Sequence, residues 1–321
     1  MELEVGVPAS SANLGPGFDV LALALGWYLR VRYRGTGDCD ELRVVSEPDL
    51  HGGRNLVVEA MERFARRTGV RLPGGELVVE SEIPVARGLG SSAAAVVAGL
   101  VLANELTGQP LGRDELFELA SALEGHGDNV GAALYGGAIL AVESADGPLA
   151  VRIPLRAPLA AVLLVPEALG FTSDARSVLP RRIRRVTAVR TAARTALIVL
   201  ALATGQPELL GTAMEDELHQ PYRAVLYPHL DEAITAARAA GAYGAALSGA
   251  GPSVLALAHP RRSEQVRRAF EELIARRGYA ARAVVLPIDE QGAIVVQRVA
   301  PATIRSPERA TVPDGAPVTD P

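Results

Sequence analysis

The sequence contains no lysine: all 32 basic residues among its 321 are arginine. That absence excludes a Walker-type phosphate loop, which needs a lysine. It also excludes Schiff-base and pyridoxal-phosphate chemistry, which need a lysine amine. Any anionic ligand must be held by arginine, by backbone N–H groups or by a metal. Cysteine is nearly absent too. Cys39 stands alone, so there is no internal disulfide and no cysteine-cluster metal site, and a reducing compartment such as the cytoplasm fits. Long hydrophobic runs are missing: the apolar stretches are alanine-rich and broken by Gly, Asn or Glu, so no segment is expected to span a membrane. Met1–Val7 lacks the basic region and apolar core of a signal peptide. Positive charge is not in excess either, and a net charge of −5 argues against a nucleic-acid protein.

What remains is an ordinary globular composition, 49% hydrophobic and 21% charged. A chain of this length forms two domains or one large one, burying about three quarters of its unfolded surface. Alternating patterns predict strands at Glu2–Ala9, Trp27–Tyr33, Leu42–Ser46 and Glu76–Ile83. Helical spacing predicts Leu56–Thr68, stopped by Gly69, then Ser91–Leu106 and Arg113–Leu123. Tyr135–Val142 and Leu149–Ile153 read as a hairpin, and Leu159–Val165 as a strand bridging to a second domain. Helices follow at Arg181–Thr204, Leu230–Ala240 and Ser263–Arg276. Strands follow at Gly244–Ser248, Ser253–Ala258, Ala280–Pro287 and Ala293–Val299. Strands and helices without strict alternation indicate an α+β fold. Residues 1–160 are expected to form an N-terminal nucleotide-binding domain and 161–299 a C-terminal one, with Pro-, Ala- and Thr-rich 300–321 a disordered tail.

The clearest motif is Pro84-Val85-Ala86-Arg87-Gly88-Leu89-Gly90-Ser91-Ser92-Ala93-Ala94. A strand stops at a proline, a glycine turn follows, and an alanine-rich helix begins at two serines suited to its N-cap. The free N–H groups and positive dipole at such a helix start form an anion site that needs no lysine. The hydroxyls of Ser91 and Ser92 can reach a phosphate or its Mg²⁺. The same pattern also serves as a plain serine-capped loop. A second motif, Pro8–Asp19, turns the chain on Gly15, Pro16 and Gly17 and projects Asn13 and Asp19 from the turn, residue types that also favour turns for their own sake. A third, Gly244–Ser253, either closes over a phosphate or makes a tight hairpin. Glu118 and Glu124 lie six residues apart, with His126, Asp128 and Asn129 beyond. One such carboxylate can hold Mg²⁺ beside phosphates, and either can equally be a solvated helix residue. Thr172 to Arg176, with Arg223 later, offers two arginines able to clamp a carboxylate, although most of the 32 arginines must lie on the surface.

Together and in this order, these segments resemble the GHMP kinases, the superfamily of galactokinase, homoserine kinase, mevalonate kinase and phosphomevalonate kinase. The shared marks are Pro84–Ala94 and Ser248–Pro252. Within it the chain looks most like the homoserine kinase family, through Pro8–Asp19, Glu124–Val130 and Ala175–Pro180. The resemblance runs from about Val5 to Val299. It implies an α+β fold with an N-terminal ribosomal-protein-like domain, containing a left-handed βαβ unit, and a C-terminal ferredoxin-like domain. It implies transfer of phosphate from ATP to the side-chain hydroxyl of L-homoserine, a step of threonine biosynthesis, with ATP and L-homoserine as partners and Mg²⁺ as cofactor. It involves no nucleic acid and no membrane. A homodimer is common in the family, although no decisive patch is visible here.

The family's roles then fall on this sequence as follows. Pro84, Val85, Ala86, Arg87, Gly88, Leu89, Gly90, Ser91, Ser92, Ala93 and Ala94 would form the ATP-binding loop, Gly88 through Ser92 wrapping the phosphates, with Ser92 and Glu118 on Mg²⁺ and Asn55 near the adenine. Asn13, Asp19 and His126 would line the homoserine pocket, Asp19 accepting the ammonium group. Arg176 and Arg223 would bind the carboxylate, and Thr172 would sit close to the transferring phosphoryl group. Related mevalonate-type kinases carry an aspartate base eleven residues after the Mg²⁺-binding glutamate, and that spacing from Glu118 lands on Asn129. An amide takes no proton, so catalysis without a dedicated aspartate base is expected, with Asp19 as the residue to test for that role. The loop His126-Gly127-Asp128-Asn129-Val130-Gly131-Ala132 lacks the two prolines usual in the family but keeps its polar residues. The competing expectations are a kinase for another small alcohol, mevalonate-like or a sugar, and a non-catalytic binding protein on the same fold. Intact Gly88, Gly90, Ser92 and Glu118 speak against the latter.

Overall fold

The computed structural model describes residues 2–35, 42–46 and 55–298. Cys39 and the expected tail 300–321 lie outside the described residues.

The chain begins with two long antiparallel strands, β1 (Glu2–Asn13) and β2 (Gly17–Arg34). Alternate residues Leu3, Val5, Val7 and Ala9 of β1 point into the core, as a half-buried strand requires. The unit β3 (Leu42–Ser46), α1 (Leu56–Thr68) and β4 (Gly75–Ser81) follows, with β3 and β4 adjacent and parallel and α1 between them in the chain. Helix α1 starts at Asn55 and ends at Gly69, whose φ of 71° supplies the left-handed cap. Helices α2 (Ser91–Leu106), α3 (Arg113–Glu124) and α4 (Asp128–Tyr135) come next, followed by the hairpin β5 (Ala138–Ser144) and β6 (Gly147–Ile153). Tyr135, expected to open a strand, instead closes α4, because the small residues Gly131, Ala132 and Ala133 let this short helix pack against β1 and β2.

The large sheet runs β11-β1-β2-β4-β3, with β5 and β6 branching from the first half of β2. Helix α2 is apolar all round and buried along nearly its whole length, in contact with α1, α3, α4 and β1. A helix without a polar face is a core helix, and this one carries the phosphate loop at its N-terminus.

From β7 (Ala160–Pro166) onward the chain builds a second, four-stranded antiparallel sheet in the order β10-β7-β9-β8. Short α5 (Thr172–Ser177), long α6 (Arg185–Thr204), one-turn α7 (Leu210–Ala213) and α8 (Gln220–Arg223), and α9 (Leu230–Ala239) precede β8 (Gly244–Leu247) and β9 (Val254–Ala258). Helix α10 (Ser263–Arg277) and β10 (Ala281–Leu286) complete it. Strand β7, helices, the β8–β9 pair, α10 and β10 make a split β-α-β unit with α9 and α10 packed on the sheet. The last strand, β11 (Ile294–Arg298), leaves this half and pairs with β1 in the large sheet.

Among the described residues helix α6 alone is long and apolar enough, by length and composition, to cross a membrane, with a mean hydropathy of 1.6 over its apolar window, but ion pairs tie it to the rest of the protein. Arg190 and Arg194 lie mid-helix and pair with Glu217, and Arg194 also pairs with Glu215.

Candidate active site

The two sheets meet at three loops, and a cleft of about 250 Å³ opens where they touch. Its lining includes Asn13 and Asp19 from the β1–β2 turn, Pro84 to Ser92, Glu124 to Asn129 in part, Thr172 and Arg176 from α5, Arg223 from α8 and Gly249–Ala250. Backbone bonds sew the loops together. Ser10 N donates to the Leu89 carbonyl at 3.1 Å, Gly249 N to the Ala12 carbonyl at 3.1 Å, and Gly170 N to the Ala86 carbonyl at 2.8 Å.

Two glycines of the phosphate loop cannot be replaced without moving a neighbour. A Cβ on Gly88 would lie 2.2 Å from the Ser248 carbonyl oxygen, and one on Gly90 would lie 2.0 Å from Ser10 Oγ. Both residues also hold positive φ, 70° and 69°. Gly90, not a serine, is the N-cap of α2, and no side chain caps the helix. The expectation of a serine cap is thus corrected. The first-turn N–H groups are left to face the cleft, where an anion can take them. Arg87 turns its guanidinium away from any phosphate. Nε donates to the Pro166 carbonyl at 2.7 Å, and Nη1 and Nη2 reach the carbonyls of Val85 and Glu167. It ties the loop to β7. Ala93 and Ala94 are fully buried inside α2 and do not line the cleft, so their expected contact with ATP is corrected as well.

The acidic residue beside the loop is Glu124. Ser92 Oγ donates to its carboxylate at 2.8 Å. Burial pushes the Glu124 carboxyl above the usual range, only partly offset by the Ser92 bond and by His126. Glu118, the expected metal ligand, is exposed on α3 and absent from the cleft lining. Six residues along a helix of 3.6 per turn separate two side chains by about 120° around the axis, so Glu118 and Glu124 do not face the same way. Asn129 follows Glu124 by five residues, not eleven. Asn129 nevertheless reaches the cleft: its Oδ1 accepts from Ser10 Oγ at 2.8 Å. Asn55 does not. Its Oδ1 accepts from Val57 N and Val58 N as the cap of α1, and it is not among the lining residues.

Glu124 and Ser92 place one carboxylate and one hydroxyl at the helix start. Among the described residues there is no group of three or more His, Cys, Asp or Glu side chains able to hold a metal. That set fits Mg²⁺, which keeps several waters and takes its remaining ligands from phosphates, and does not fit a metal needing a full protein cage.

The opposite wall carries charge. Asp19, at a φ of 58°, forms a bidentate ion pair with Arg176 at 3.0 and 2.9 Å. Asn13 is spent on scaffolding: Nδ2 donates to the Gly249 carbonyl at 2.9 Å and Oδ1 accepts from Asp19 N at 3.0 Å. His126 Nδ1 lies 2.8 Å from Asp128 Oδ1, and Asp128 is buried. That bond holds the His126 pKa above the ordinary imidazole value despite burial. Arg223 is 2% exposed. Its Nε donates to the Ala175 carbonyl at 3.1 Å, and Nη1 to the Gly249 carbonyl at 3.0 Å and to His219 Nδ1 at 3.2 Å. Among the described residues no carboxylate lies within ion-pair distance of it. The ring of Phe18 lies under both guanidiniums, 5.5 Å from Arg176 and 5.3 Å from Arg223.

Sequence reasoning missed Ser10, Phe18 and His219 as parts of this wall. One of them left a trace: His219 stands four residues before Arg223, the spacing of neighbours on one helix face.

Comparison with known proteins agrees with this architecture. The family profile for the GHMP kinases N terminal domain matches residues 55–137, and that for GHMP kinases C terminal matches 198–275. The homoserine kinase of Desulfitobacterium hafniense is 41% identical over 299 residues, which cover 92% of this chain and 100% of that protein. The crystal structure of homoserine kinase from Cytophaga hutchinsonii superposes with a TM-score of 0.82 at 31% identity, covering 92% of this chain and 97% of the other. The crystal structure of L. major mevalonate kinase in complex with R-mevalonate shares the fold, with a TM-score of 0.66 at 19% identity, covering 88% and 95%.

Proposed function

The chain belongs to the homoserine kinase family of the GHMP kinases, and we propose that it transfers the γ-phosphoryl group of ATP to the side-chain hydroxyl of L-homoserine, giving O-phospho-L-homoserine for threonine biosynthesis. The observation that carries the substrate assignment is Arg223, a buried guanidinium at the cleft whose described partners are all uncharged. A buried cation calls for an anion, and the α-carboxylate of an amino acid supplies one. Arg176 stands beside it, paired with Asp19. A zwitterion can replace both halves of that pair at once, its carboxylate on the arginines and its ammonium on Asp19. Mevalonate brings a carboxylate without the ammonium, and a sugar brings neither.

The nucleotide phosphates bind the uncapped start of α2 and the backbone of Pro84 to Ser92, with Ser92 and Glu124 facing Mg²⁺. A Mg²⁺ ion held by these two residues would supply charge neutralisation for the phosphates. The chain's own residues do the positioning. Asn129, fixed by Ser10, and Thr172, at the start of α5, border the space between nucleotide and substrate. The transition state of phosphoryl transfer is loose, so alignment and charge neutralisation carry most of the catalysis and the hydroxyl proton leaves late, to the phosphate. No aspartate base is needed at Asn129. Measuring kcat against pH for D19N and N129A tests this. Loss of a basic-limb ionisation in D19N would make Asp19 the base and refute direct transfer.

ATP turnover with L-homoserine, L-serine, L-threonine and mevalonate tests the substrate. Homoserine is expected to turn over fastest, and a faster rate with mevalonate overturns the assignment. Calorimetry with ATP·Mg²⁺ separates an enzyme from a binding protein, which would fail to bind the nucleotide. A cytoplasmic location and a homodimer accord with the family.

A further inference from the structure

His219 lies beneath the substrate wall and is fully buried. Its Nε2 is 2.8 Å from the Gly15 carbonyl oxygen, and its Nδ1 is 3.2 Å from Nη1 of Arg223. A carbonyl can only accept and a guanidinium can only donate. The two contacts therefore fix one tautomer, with the proton on Nε2 and the lone pair on Nδ1. An imidazolium would turn an N–H against the guanidinium and break the second bond. The groups around the ring agree with a fixed neutral histidine. Asp216 Oδ2 lies 3.4 Å from Nε2, but its carboxylate is occupied by the backbone N–H groups of Leu218, His219 and Gln220 at 2.7, 2.9 and 2.7 Å. Phe18 packs on the ring at 5.2 Å between centroids. Gly15 belongs to the β1–β2 turn, which also carries Asn13 and Asp19, so His219 links the two chain segments that form the substrate wall.

We propose that His219 is a positioning residue for the substrate carboxylate: anchored on the Gly15 carbonyl, it accepts a hydrogen bond from Arg223 and so aims that guanidinium at the cleft. Arg223 makes its other bonds to backbone carbonyls, and on its own it has rotamers that would turn it away. Three fixed acceptors leave the guanidinium one way to face. The inference rests on the reading of Arg223 as the carboxylate ligand, and the experiment keeps the two apart.

The test uses the full-length enzyme with saturating ATP·Mg²⁺ and compares wild type, H219N, H219Q and R223Q. Asparagine places an acceptor near the position of Nδ1, whereas glutamine reaches toward Gly15 and offers Arg223 nothing. Each variant is assayed with L-homoserine and with 3-aminopropan-1-ol, the same alcohol without the carboxylate. H219Q is expected to raise KM for homoserine roughly tenfold, the usual cost of losing a hydrogen bond to a charged group. H219N should stay within about threefold of wild type, with KM for ATP unchanged in both. On 3-aminopropan-1-ol the two His219 variants should match wild type. If R223Q loses homoserine and H219Q does not, the positioning role is wrong and Arg223 stands. If R223Q leaves KM for homoserine unchanged, the reading of Arg223 fails instead. If the His219 variants lose both alcohols equally, the residue is merely structural and the proposal falls. Nitrogen-15 NMR of the wild-type imidazole keeps the test independent of variant folding: a neutral ring protonated on Nε2 at pH 7 is expected, and an imidazolium overturns it.

Discussion

The two walls of the cleft solve opposite problems with different materials. The phosphate side must hold a highly charged ligand, yet it offers no cation: it consists of glycine backbone, serine hydroxyls, an uncapped helix start and one buried carboxylate, and its single arginine, Arg87, points at carbonyls. The substrate side must hold a small zwitterion with no net charge, yet it concentrates Asp19, Arg176, Arg223 and His126. The difference follows from where neutralisation comes from. Phosphates bring a metal with them and need only a shaped set of N–H donors. An amino acid brings nothing, so each of its charges has to find a fixed partner. A lysine-free chain therefore loses nothing on the first wall, and on the second it gains planar, forked donors suited to a carboxylate.

This contrast can be broken at several points. The largest effect is expected from G88A, whose Cβ meets the Ser248 carbonyl, a backbone atom that cannot swing aside. Displacing the loop by even part of an ångström should lower kcat/KM for ATP by roughly 100-fold or more. G90A collides with the Ser10 side chain instead, which can give way, so it should lose less than G88A even though its φ of 69° strains any side chain there. Steady-state kinetics on the two variants decides this.

Next comes E124Q. It keeps an acceptor for Ser92 but removes the charge proposed to face Mg²⁺, and turnover should fall by roughly 100-fold, several kcal/mol of lost charge stabilisation. Burial already disfavours the ionised Glu124, so the melting temperature at pH 7 should hold or rise. E118Q, by contrast, should behave as wild type in both measurements. A loss of activity in E118Q equal to that in E124Q would return the metal to the exposed helix face.

On the charged wall, D19N and R176Q should raise KM for L-homoserine by roughly 10- to 100-fold, in the range of hydrogen bonds to charged groups, and leave KM for ATP within about twofold. A parallel rise in both KM values would show that the two walls are not independent.

The smallest effect concerns stability. Burial holds the pKa of His219 and of His229 below the ordinary imidazole value. Below about pH 6.5 the unfolded chain then binds more protons than the folded one, so stability is fully present above that pH and declines as pH falls, by at most ~1.4 kcal/mol per pH unit for each histidine. His126, whose pKa is raised, contributes in the opposite direction. Melting curves between pH 7.5 and 5.5 should show the decline, and H229N should flatten it.

The fold was legible wherever local pattern and tertiary role coincide. Helix α1 follows from apolar spacing and end signals alone, and the span Ser91–Leu106 from its run of small apolar residues, although its cap is Gly90 rather than a serine. Helix α4 was not legible, because an eight-residue run of small and mixed residues gains its stability from packing on β1 and β2 rather than from propensity. The phosphate loop was legible only through its company: a glycine loop before a helix serves many ends, and it was its order with Pro8–Asp19 and Ser248–Pro252 that marked it. Glu118 and Glu124 could not be told apart, since that choice depends on which face of α3 turns toward Ser92. The partners of the charged residues, such as Ser10 for Asn129 and His219 for Arg223, depend on contacts between distant segments, which no spacing along the chain encodes.

Strand β11 lies beside β1, so the last described segment of the chain is stitched onto the first. During synthesis the N-terminal strand therefore waits, with one edge unpaired, until nearly the whole polypeptide has left the ribosome. A chain cut short before Ile294 would carry an open, apolar-flanked edge rather than a slightly smaller enzyme, and such edges invite pairing with other chains.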